Sequence, residues 1–427
     1  MIFRKLLRTI LVKFQLVHLY NRIYVYRLPY YRYLQRQRLR EVRKRGEVNV
    51  MFVVPNLPMW RAQGLLDLLR LDKRFNLFIV AKSPTSFTEK ENQRNVRALR
   101  DFFSEQGVFF NALIETEAKQ LLDQVNPDVV FYTQPPDMSS PNSEFIYLRD
   151  RLHAYIPYGF MSLNKSWNYN LFFHNIAWRF YLPTELHLKT ARIWSDCKGE
   201  NVRIVGEPHA DDFIYGEYRE VWHCGSDKKR IIWAPHFQIN HNGMFNRPSF
   251  LWTCDVMVEI AKLYKDRIHF AFKPHPRLYS ELCNHPDWGE AKTKAYYDLW
   301  NAMPNSQVET GEFINLFKGS DALIHDCGSF LAEYMFVTKP CMFVTHNDKS
   351  AQDDLCEFGQ KCFGLHSVGH NKDEIIRFIE DVVLKGKDEK RHEREDFFNQ
   401  YLVPPNGMTT ARNIYNDMCM SLFGDKY

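Results

Sequence analysis

Two stretches of this 427-residue chain carry residue types suited to handling phosphate. The first, Ser320-Asp321-Ala322-Leu323-Ile324-His325-Asp326-Cys327-Gly328-Ser329-Phe330-Leu331-Ala332-Glu333-Tyr334, reads as an apolar strand, a turn of small polar residues and an amphipathic helix. Such a junction aims the unpaired N–H groups and positive dipole end of a helix at whatever lies beyond the strand, which suits an anion. The plain alternative is an ordinary strand-to-helix turn capped by Ser329. The second, Lys273-Pro274-His275-Pro276-Arg277, sets two cations and an imidazole within five residues at the end of another apolar run. Its prolines stiffen the loop around His275. Lys273 and Arg277 suit phosphate oxygens, and His275 suits a hydrogen bond or proton to a departing phosphate. The alternative here is a surface turn whose His and Arg cap and pair locally.

A third stretch, His153-Ala154-Tyr155-Ile156-Pro157-Tyr158-Gly159-Phe160, reads as a strand and its exit loop. Ligands collect at the carboxyl ends of strands in open α/β sheets, so the loop is a candidate acceptor site, against an aromatic turn with no such role. The nine cysteines include no Cys-x-x-Cys pair and no zinc-like Cys/His spacing. That predicts reduced thiols in the cytosol, no structural metal and no cofactor.

These stretches need elements to position them. Val48 to Val54 reads as a buried parallel strand closed by Pro55 and Pro58, followed by a helical pattern through Leu65, Leu66, Leu68 and Leu69. Strands at Leu77 to Ala81, Val108 to Phe110 and Val129 to Tyr132 alternate with helical stretches near 87–106 and 115–124. Another strand, Val202 to Gly206, runs into Glu207-Pro208-His209-Ala210-Asp211, and Gly225 to Lys229 reads as an exposed linker. Beyond it the alternation restarts, with strands Arg230 to His236, Ile268 to Phe272 and Lys339 to Val344, and helices near 250–265 and 313–318. Two α/β halves of comparable size without an internal repeat predict paired Rossmann-like domains facing a cleft. The expected division is 1–46, 47–224, 225–390 and a returning C-terminal helix in 391–427. Trp233 is expected in the core, and His241 and His285 on polar surface loops.

Charge is distributed unevenly. Residues 1–46 hold thirteen Lys/Arg and one Glu, a segment charge of +12 against +5 for the whole chain, leaving −7 on the rest. The longest uncharged run there, Phe14 to Asn21, is eight residues, too short to span a bilayer. Ile2, Phe3, Leu6, Leu7, Ile10 and Leu11 interleave with Arg4, Lys5, Arg8 and Lys13, a pattern that predicts a helical arm lying in an anionic membrane surface. The competing reading is an amphipathic helix packed on the body with its arginines solvated. Nucleic acid is not expected as a partner, because the remainder is acidic.

Several of these pieces occur in an order that resembles the CDP-glycerol glycerophosphotransferase family, the polymerases and primases of teichoic-acid-type and related capsule chains. They are Trp233-Ala234-Pro235, Lys273-Pro274-His275-Pro276, Ser320-Asp321 through Asp326-Cys327-Gly328-Ser329 with Glu333, Lys339-Pro340, and Asn406-Gly407-Met408-Thr409-Thr410-Ala411-Arg412. The resemblance spans roughly residues 150–415. It implies the GT-B fold, with His275 and Asp326 as the catalytic pair and Lys273, Arg277, His236, Gly328, Ser329, Glu333 and Arg412 around the donor. In that reading His275 stabilises the departing nucleotide and Glu333 reaches ribose hydroxyls. Three departures stand out. The family's acceptor-side His-Gly is Tyr158-Gly159 here, with His153 a possible substitute; its Asp-Tyr-Ser-Ser turn is Asp326-Cys327-Gly328-Ser329; and its Gly-x-Pro-Arg-Asn-Asp is Gly206 to Asp211.

The resemblance implies transfer of a polyol phosphate, most simply glycerol phosphate, from a CDP-linked donor to a hydroxyl of a lipid-linked or membrane-presented glycan or polymer. CMP would be released at the cytoplasmic face of a bacterial inner membrane. The Asp326 turn with Glu333 also looks like that of UDP-N-acetylglucosamine 2-epimerases. That leaves three alternatives: an enzyme of that kind, a glycosyltransferase using a nucleotide sugar, or a non-catalytic scaffold of the same fold.

Overall fold

A computed structural model describes residues 26–84, 87–112, 118–136, 144–225, 227–239, 249–311, 313–346 and 352–425. The chain forms two compact units. The first comprises residues up to Met161, Lys165–Asp211 and Pro404–Tyr427; the second comprises Ser162–Asn164 and Asp212–Val403. The break after Asp211 precedes the Gly225-to-Lys229 linker for a packing reason. Trp222 is buried in the second unit with its indole N–H on the Leu316 carbonyl, and the His223 N–H donates to the Gln307 side chain.

In the first unit, seven strands run parallel: β1 (Val48–Val54), β2 (Phe75–Ala81), β3 (Phe109–Ala112), β4 (Val129–Tyr132), β5 (Leu152–Tyr155), β6 (Arg179–Leu182) and β7 (Val202–Ile204). Their order is β3-β2-β1-β4-β5-β6-β7. β1 shows why the sheet must be covered on both faces. Its Val50, Phe52 and Val54 pack with Leu65, Leu66 and Leu69, while Met51 and Val53 join Val130, Tyr132 and Phe173 on the other side.

The last helix, Thr410–Phe423, belongs to this unit. Ile414, Met418 and Leu422 are buried in the same cluster as Phe52 and Leu66. Fully burying each contributes about 1.5–3 kcal/mol. The Gly206-to-Asp211 segment docks that helix. The Asp211 carboxylate accepts the N–H groups of Thr410 (2.6 Å) and Ala411 (2.9 Å), and the Thr410 hydroxyl donates to the Glu207 carbonyl at 2.9 Å. Gly206, at φ +97°, has no room for a side chain, since a Cβ would lie 2.6 Å from Thr410 Oγ1.

Residues 1–25 of the expected membrane arm lie outside the described residues. The rest of that segment is not an independent arm. Helix Leu28–Arg45 packs on the first unit through Tyr31, Gln35 and Val42, with Arg38 bonded to Asp150 at 3.0 Å and Arg45 paired with Asp128. Among the described residues, no helix is long and apolar enough to cross a membrane.

The second unit holds β8 (Lys229–Ala234), β9 (Ile268–Phe272), β10 (Ser306–Val308), β11 (Ala322–His325), β12 (Cys341–Val344) and β13 (Ser367–Gly369), parallel in the order β10-β9-β8-β11-β12-β13. Trp233 is fully buried, stacked on Phe272 at 5.0 Å and near Trp300 at 5.3 Å, as expected of a core residue. β6, β10 and β13 were not legible as strands: each is three or four residues long, and β10 carries the polar Ser306-Gln307.

Four imidazoles in the first unit are buried, those of His153, His174, His187 and His209. Burial pushes His153 down to about 4 and both His174 and His187 to about 3. Above pH 6.5 these rings are neutral folded or unfolded. As pH falls from 6.5 towards 4, the unfolded chain takes up protons that the folded chain refuses, and stability declines by about 1.4 kcal/mol per pH unit for each ring. Urea-unfolding midpoints measured from pH 7 to pH 4 are expected to fall steeply below 6.5, and a flat profile would contradict the burial of these rings.

Candidate active site

The second sheet reverses its strand order between β8 and β11, the place at the carboxyl ends of an open α/β sheet where ligands collect. His236 and Phe237 follow β8, Asp326 to Ser329 follow β11, and Lys273 to Arg277 follow the neighbouring β9. The structure therefore brings His236, His275, Arg277, Asp326, Gly328 and Ser329 to the carboxyl edge of one sheet.

Asp326 is the hub of this edge. Its buried carboxylate accepts the His236 N–H at 2.6 Å on one oxygen, and the N–H (3.1 Å) and hydroxyl (2.7 Å) of Ser249 on the other. Burial pushes this carboxyl up to about 6, with the Ser249 and His236 donors pulling against it. Three donors occupy it, and through them it ties the loop after β8 to the start of helix Phe250–Leu263. Ser249, which sequence reading passed over, was detectable as a serine directly before an apolar helix, Phe250–Leu263.

His275 is held from two sides. Its N–H donates to the Pro235 carbonyl at 3.0 Å, and its Nδ1 accepts the Arg277 N–H at 3.1 Å. Burial, reinforced by Arg277 and Lys273, pushes the ring down to about 4, so it is neutral at pH 7. With Nδ1 already accepting, the single ring proton sits on Nε2 as a donor. His236 has the same arrangement, its Nδ1 accepting the Gln238 N–H at 3.3 Å. The two imidazoles lie 5.2 Å apart, with Phe237 4.5 Å from His275 and the Arg277 guanidinium 4.2 Å above Phe237. Arg277 is exposed and also pairs with Glu281 at 2.7 Å.

Other expected donor residues are used differently. Lys273 is only 7% exposed, and its ammonium donates to the Gly311 carbonyl at 2.7 Å. Lys339 donates to the carbonyls of Lys318 and Ser320, both at 2.5 Å, closing the helix Ile314–Gly319. The helix after the turn is a single turn, Phe330–Glu333, continued by a tighter turn Tyr334–Val337. It is too short to supply the helix dipole that the spacing predicted. Ser329 makes no capping hydrogen bond; its hydroxyl lies 3.3 Å from the buried Cys327 sulfur. At Gly328 a Cβ would meet nothing within 4 Å, so the turn keeps open space there. Glu333 is buried rather than offered to a sugar. His325, also missed, is buried 5.1 Å from His366, and its Nδ1 accepts the Cys327 N–H at 3.2 Å to set the turn.

On the first unit, His153 cannot serve as a base. It is enclosed by Phe145 (4.7 Å), Tyr132 (5.8 Å) and Phe173 (6.2 Å), and its Nε2 bonds the Leu148 carbonyl at 2.9 Å. Tyr158 is exposed and Gly159 open beside it; the Tyr158 carbonyl accepts Arg61 Nε at 2.7 Å, and its N–H donates to Thr133 at 3.2 Å. Arg412 also lies on the first unit, 5.2 Å over Tyr415 beside Leu68, Leu71, Asp72 and Lys73. Among the described residues, no His, Cys, Asp and Glu side chains gather in a group able to hold a metal.

Comparison with known proteins bears on this arrangement. The model of the family described as CDP-glycerol:poly(glycerophosphate) glycerophosphotransferase matches residues 190–418. Among solved structures, a variant of the wall teichoic acid polymerase TagF is similar at 14% identity and TM-score 0.59, covering 88% of this chain and 90% of that one. The S. aureus MnaA–UDP structure follows at 12% and 0.57, covering 88% and 98%. The UDP-GlcNAc 2-epimerase from Neisseria meningitidis bound to UDP-GlcNAc stands at 13% and 0.56, covering 86% and 98%. At such identities the likeness is one of fold, the GT-B arrangement of two parallel α/β units. No curated protein matches the chain.

The hub role of Asp326 is testable. Asp326→Ala strands three donors, at about 1–3 kcal/mol for each left unsatisfied, whereas Ser249→Ala removes one donor. Urea denaturation is expected to rank Asp326→Ala well below Ser249→Ala in stability, with faster hydrogen exchange at the amides of His236 and Ser249. Equal stabilities, or unchanged exchange, would contradict it.

Proposed function

The chain belongs to the CDP-glycerol:poly(glycerophosphate) glycerophosphotransferase family, and from that premise we propose that it moves glycerol phosphate from CDP-glycerol to a hydroxyl of a membrane-presented glycan or teichoic-acid-like polymer. The acceptor hydroxyl oxygen attacks the distal phosphorus, the bridging P–O bond breaks, CMP leaves with the bonding electrons, and the hydroxyl proton is given up to water. In-line positioning and stabilisation of the oxygens' growing charge do most of the catalytic work in such a transfer.

One observation carries this reading: His275 is fixed as a neutral imidazole whose only free valence is an Nε2 hydrogen-bond donor. That group donates to the bridging or departing phosphate oxygen. His236 reinforces it, Arg277 exchanges Glu281 for a phosphate oxygen, and the open backbone at Gly328 and Ser329 receives the diphosphate. Asp326 keeps His236 and the start of helix Phe250–Leu263 in register. Tyr158 and Gly159 remain on the acceptor side; Glu333 and Arg412 are not assigned to the donor. The acceptor is held at a membrane surface to which the enzyme attaches peripherally, on its cytoplasmic side.

The epimerases of like fold support one competing reading, interconversion of a UDP-sugar. Incubation with UDP-N-acetylglucosamine alone separates the two, because net epimerisation without an acceptor would overturn the transferase reading. CMP release from CDP-glycerol in the presence of membranes is expected to be detectable, which also excludes a non-catalytic scaffold. Parallel reactions with CDP-ribitol and with UDP- and CMP-sugars identify the donor. His275→Ala is expected to reduce CMP release about 10²–10³-fold with an unchanged circular-dichroism spectrum, the size of effect seen on removing one oriented transition-state donor. Full activity in that variant would remove His275 from the mechanism.

A further inference from the structure

The segment Gly206 to Asp211, which leaves β7 at the carboxyl edge of the first sheet, holds a histidine against a carboxylate. Glu207 accepts the His209 backbone N–H at 2.7 Å on one side-chain oxygen, and its other oxygen lies 3.7 Å from the ring nitrogen Nδ1 of the same histidine. Both side chains are buried. The Ala210 N–H closes a turn on the Glu207 carbonyl at 2.9 Å, and the bonds of Thr410 and Ala411 to Glu207 and Asp211 fix this turn on the last helix. The imidazole is therefore held in one place. Arg61, from the loop after β1, lies near enough for its charge to act on the ring. Burial, reinforced by that charge, holds His209 well below its usual 6.5, so the ring is neutral at pH 7. The same guanidinium donates through Nε to the Tyr158 carbonyl at 2.7 Å. Arg61 thus links the imidazole to the Tyr158-Gly159 loop, the acceptor side of the proposed transfer.

We propose that His209 is the catalytic base on the acceptor side, with Glu207 as the residue that positions it. The inference rests on the transfer reading given above. As the acceptor oxygen bonds to the distal phosphorus and the bridging P–O bond breaks, the hydroxyl proton passes to His209 Nε2. Once CMP has left, the imidazolium hands that proton to water. Nδ1 is turned towards Glu207, so Nε2 takes the proton, and the positive charge that forms on the ring meets a carboxylate already in place. A contact between a base and its orienting group that is long in the free enzyme tightens when substrate is bound. The residue types agree with this assignment. Tyr158 stands where the family has an acceptor-side His, and His209 stands where the family's Gly-x-Pro-Arg-Asn-Asp has Arg. An imidazole missing from one strand exit is thus present at another, and Arg61 supplies a guanidinium beside it.

The test is steady-state CMP release from CDP-glycerol by the full chain in the presence of membranes. His209→Gln is expected to lower kcat about 10²–10⁴-fold, the span of general-base effects, while the KM for CDP-glycerol stays within about twofold. Glu207→Gln keeps an oxygen for the His209 N–H and is expected to cost less in kcat, again at unchanged KM. His209→Ala opens space where the ring stood, and added imidazole is expected to restore part of its CMP release in a saturable manner. A side chain that only packs would not be replaced in this way. Thermal melting is followed for all three variants, and if His209→Ala fails to fold, His209→Gln decides. Full kcat in His209→Gln, or a loss confined to the KM for CDP-glycerol, would overturn the role. So would a loss in Tyr158→Phe beside full activity in His209→Gln, which would give the proton to Tyr158. A wild-type chain that releases no CMP overturns the donor reading and this role together, whereas an active wild type beside an equally active His209→Gln overturns this role alone.

Discussion

A single buried carboxylate holds the loops at the carboxyl edge of the second sheet in register. Asp326 stands at the end of β11, where the strand order reverses, and accepts hydrogen bonds from residues 236 and 249 at once. The chain between those residues is therefore anchored at both ends on one side chain. The arrangement has a cost, since a carboxylate out of water raises its own proton affinity. Three donors offset that cost only while all are in place, which makes the edge behave as one cooperative piece. His236, and through Phe237 the ring of His275, take their positions from it.

Electrostatics at this edge differ from what residue types alone imply. Lys273 directs its ammonium at the Gly311 carbonyl, and at the opposite, amino edge of the sheet Lys318, Lys339 and Lys390 likewise donate to backbone carbonyls and close loops or helix ends. At the carboxyl edge stand the His275 imidazole, held neutral at pH 7 by its burial, the open turn at Gly328 and the exposed Arg277. Neutral donors fixed in place suit a reaction in which charge moves from one oxygen to another, because they need not reorganise as it moves.

The architecture was largely legible in the sequence because strands such as Val48–Val54 and Ile268–Phe272 are apolar on both faces, the mark of a covered parallel sheet. β10 and β13 escaped notice because Ser306-Gln307-Val308 and Ser367-Val368-Gly369 hold a single apolar residue each, too few to mark a buried strand, whereas equally short strands such as Val129–Tyr132 are apolar throughout. His275 and the Asp326 turn were legible because prolines, glycine and charge cluster there. Their roles were harder to read: a lysine bound to a carbonyl and a lysine bound to a phosphate have the same letter, and only tertiary contacts separate them. His153 misled for the same reason, since the four-residue strand that carries it is buried on both faces.

The return of residues 404–427 to the first unit sets an order of events during synthesis. When residue 211 leaves the ribosome, the apolar surface formed by Leu65, Leu66 and Leu69 lacks the helix that covers it, and more than two hundred residues must be translated before Ile414 and Met418 arrive. The second unit is contiguous apart from Ser162–Asn164 and completes itself first. A nascent chain thus carries an uncovered apolar helix face through about half of its translation, the condition under which long-range contacts slow folding and invite association. Stalled or prematurely terminated copies would present that face permanently, marking them for chaperones and proteases.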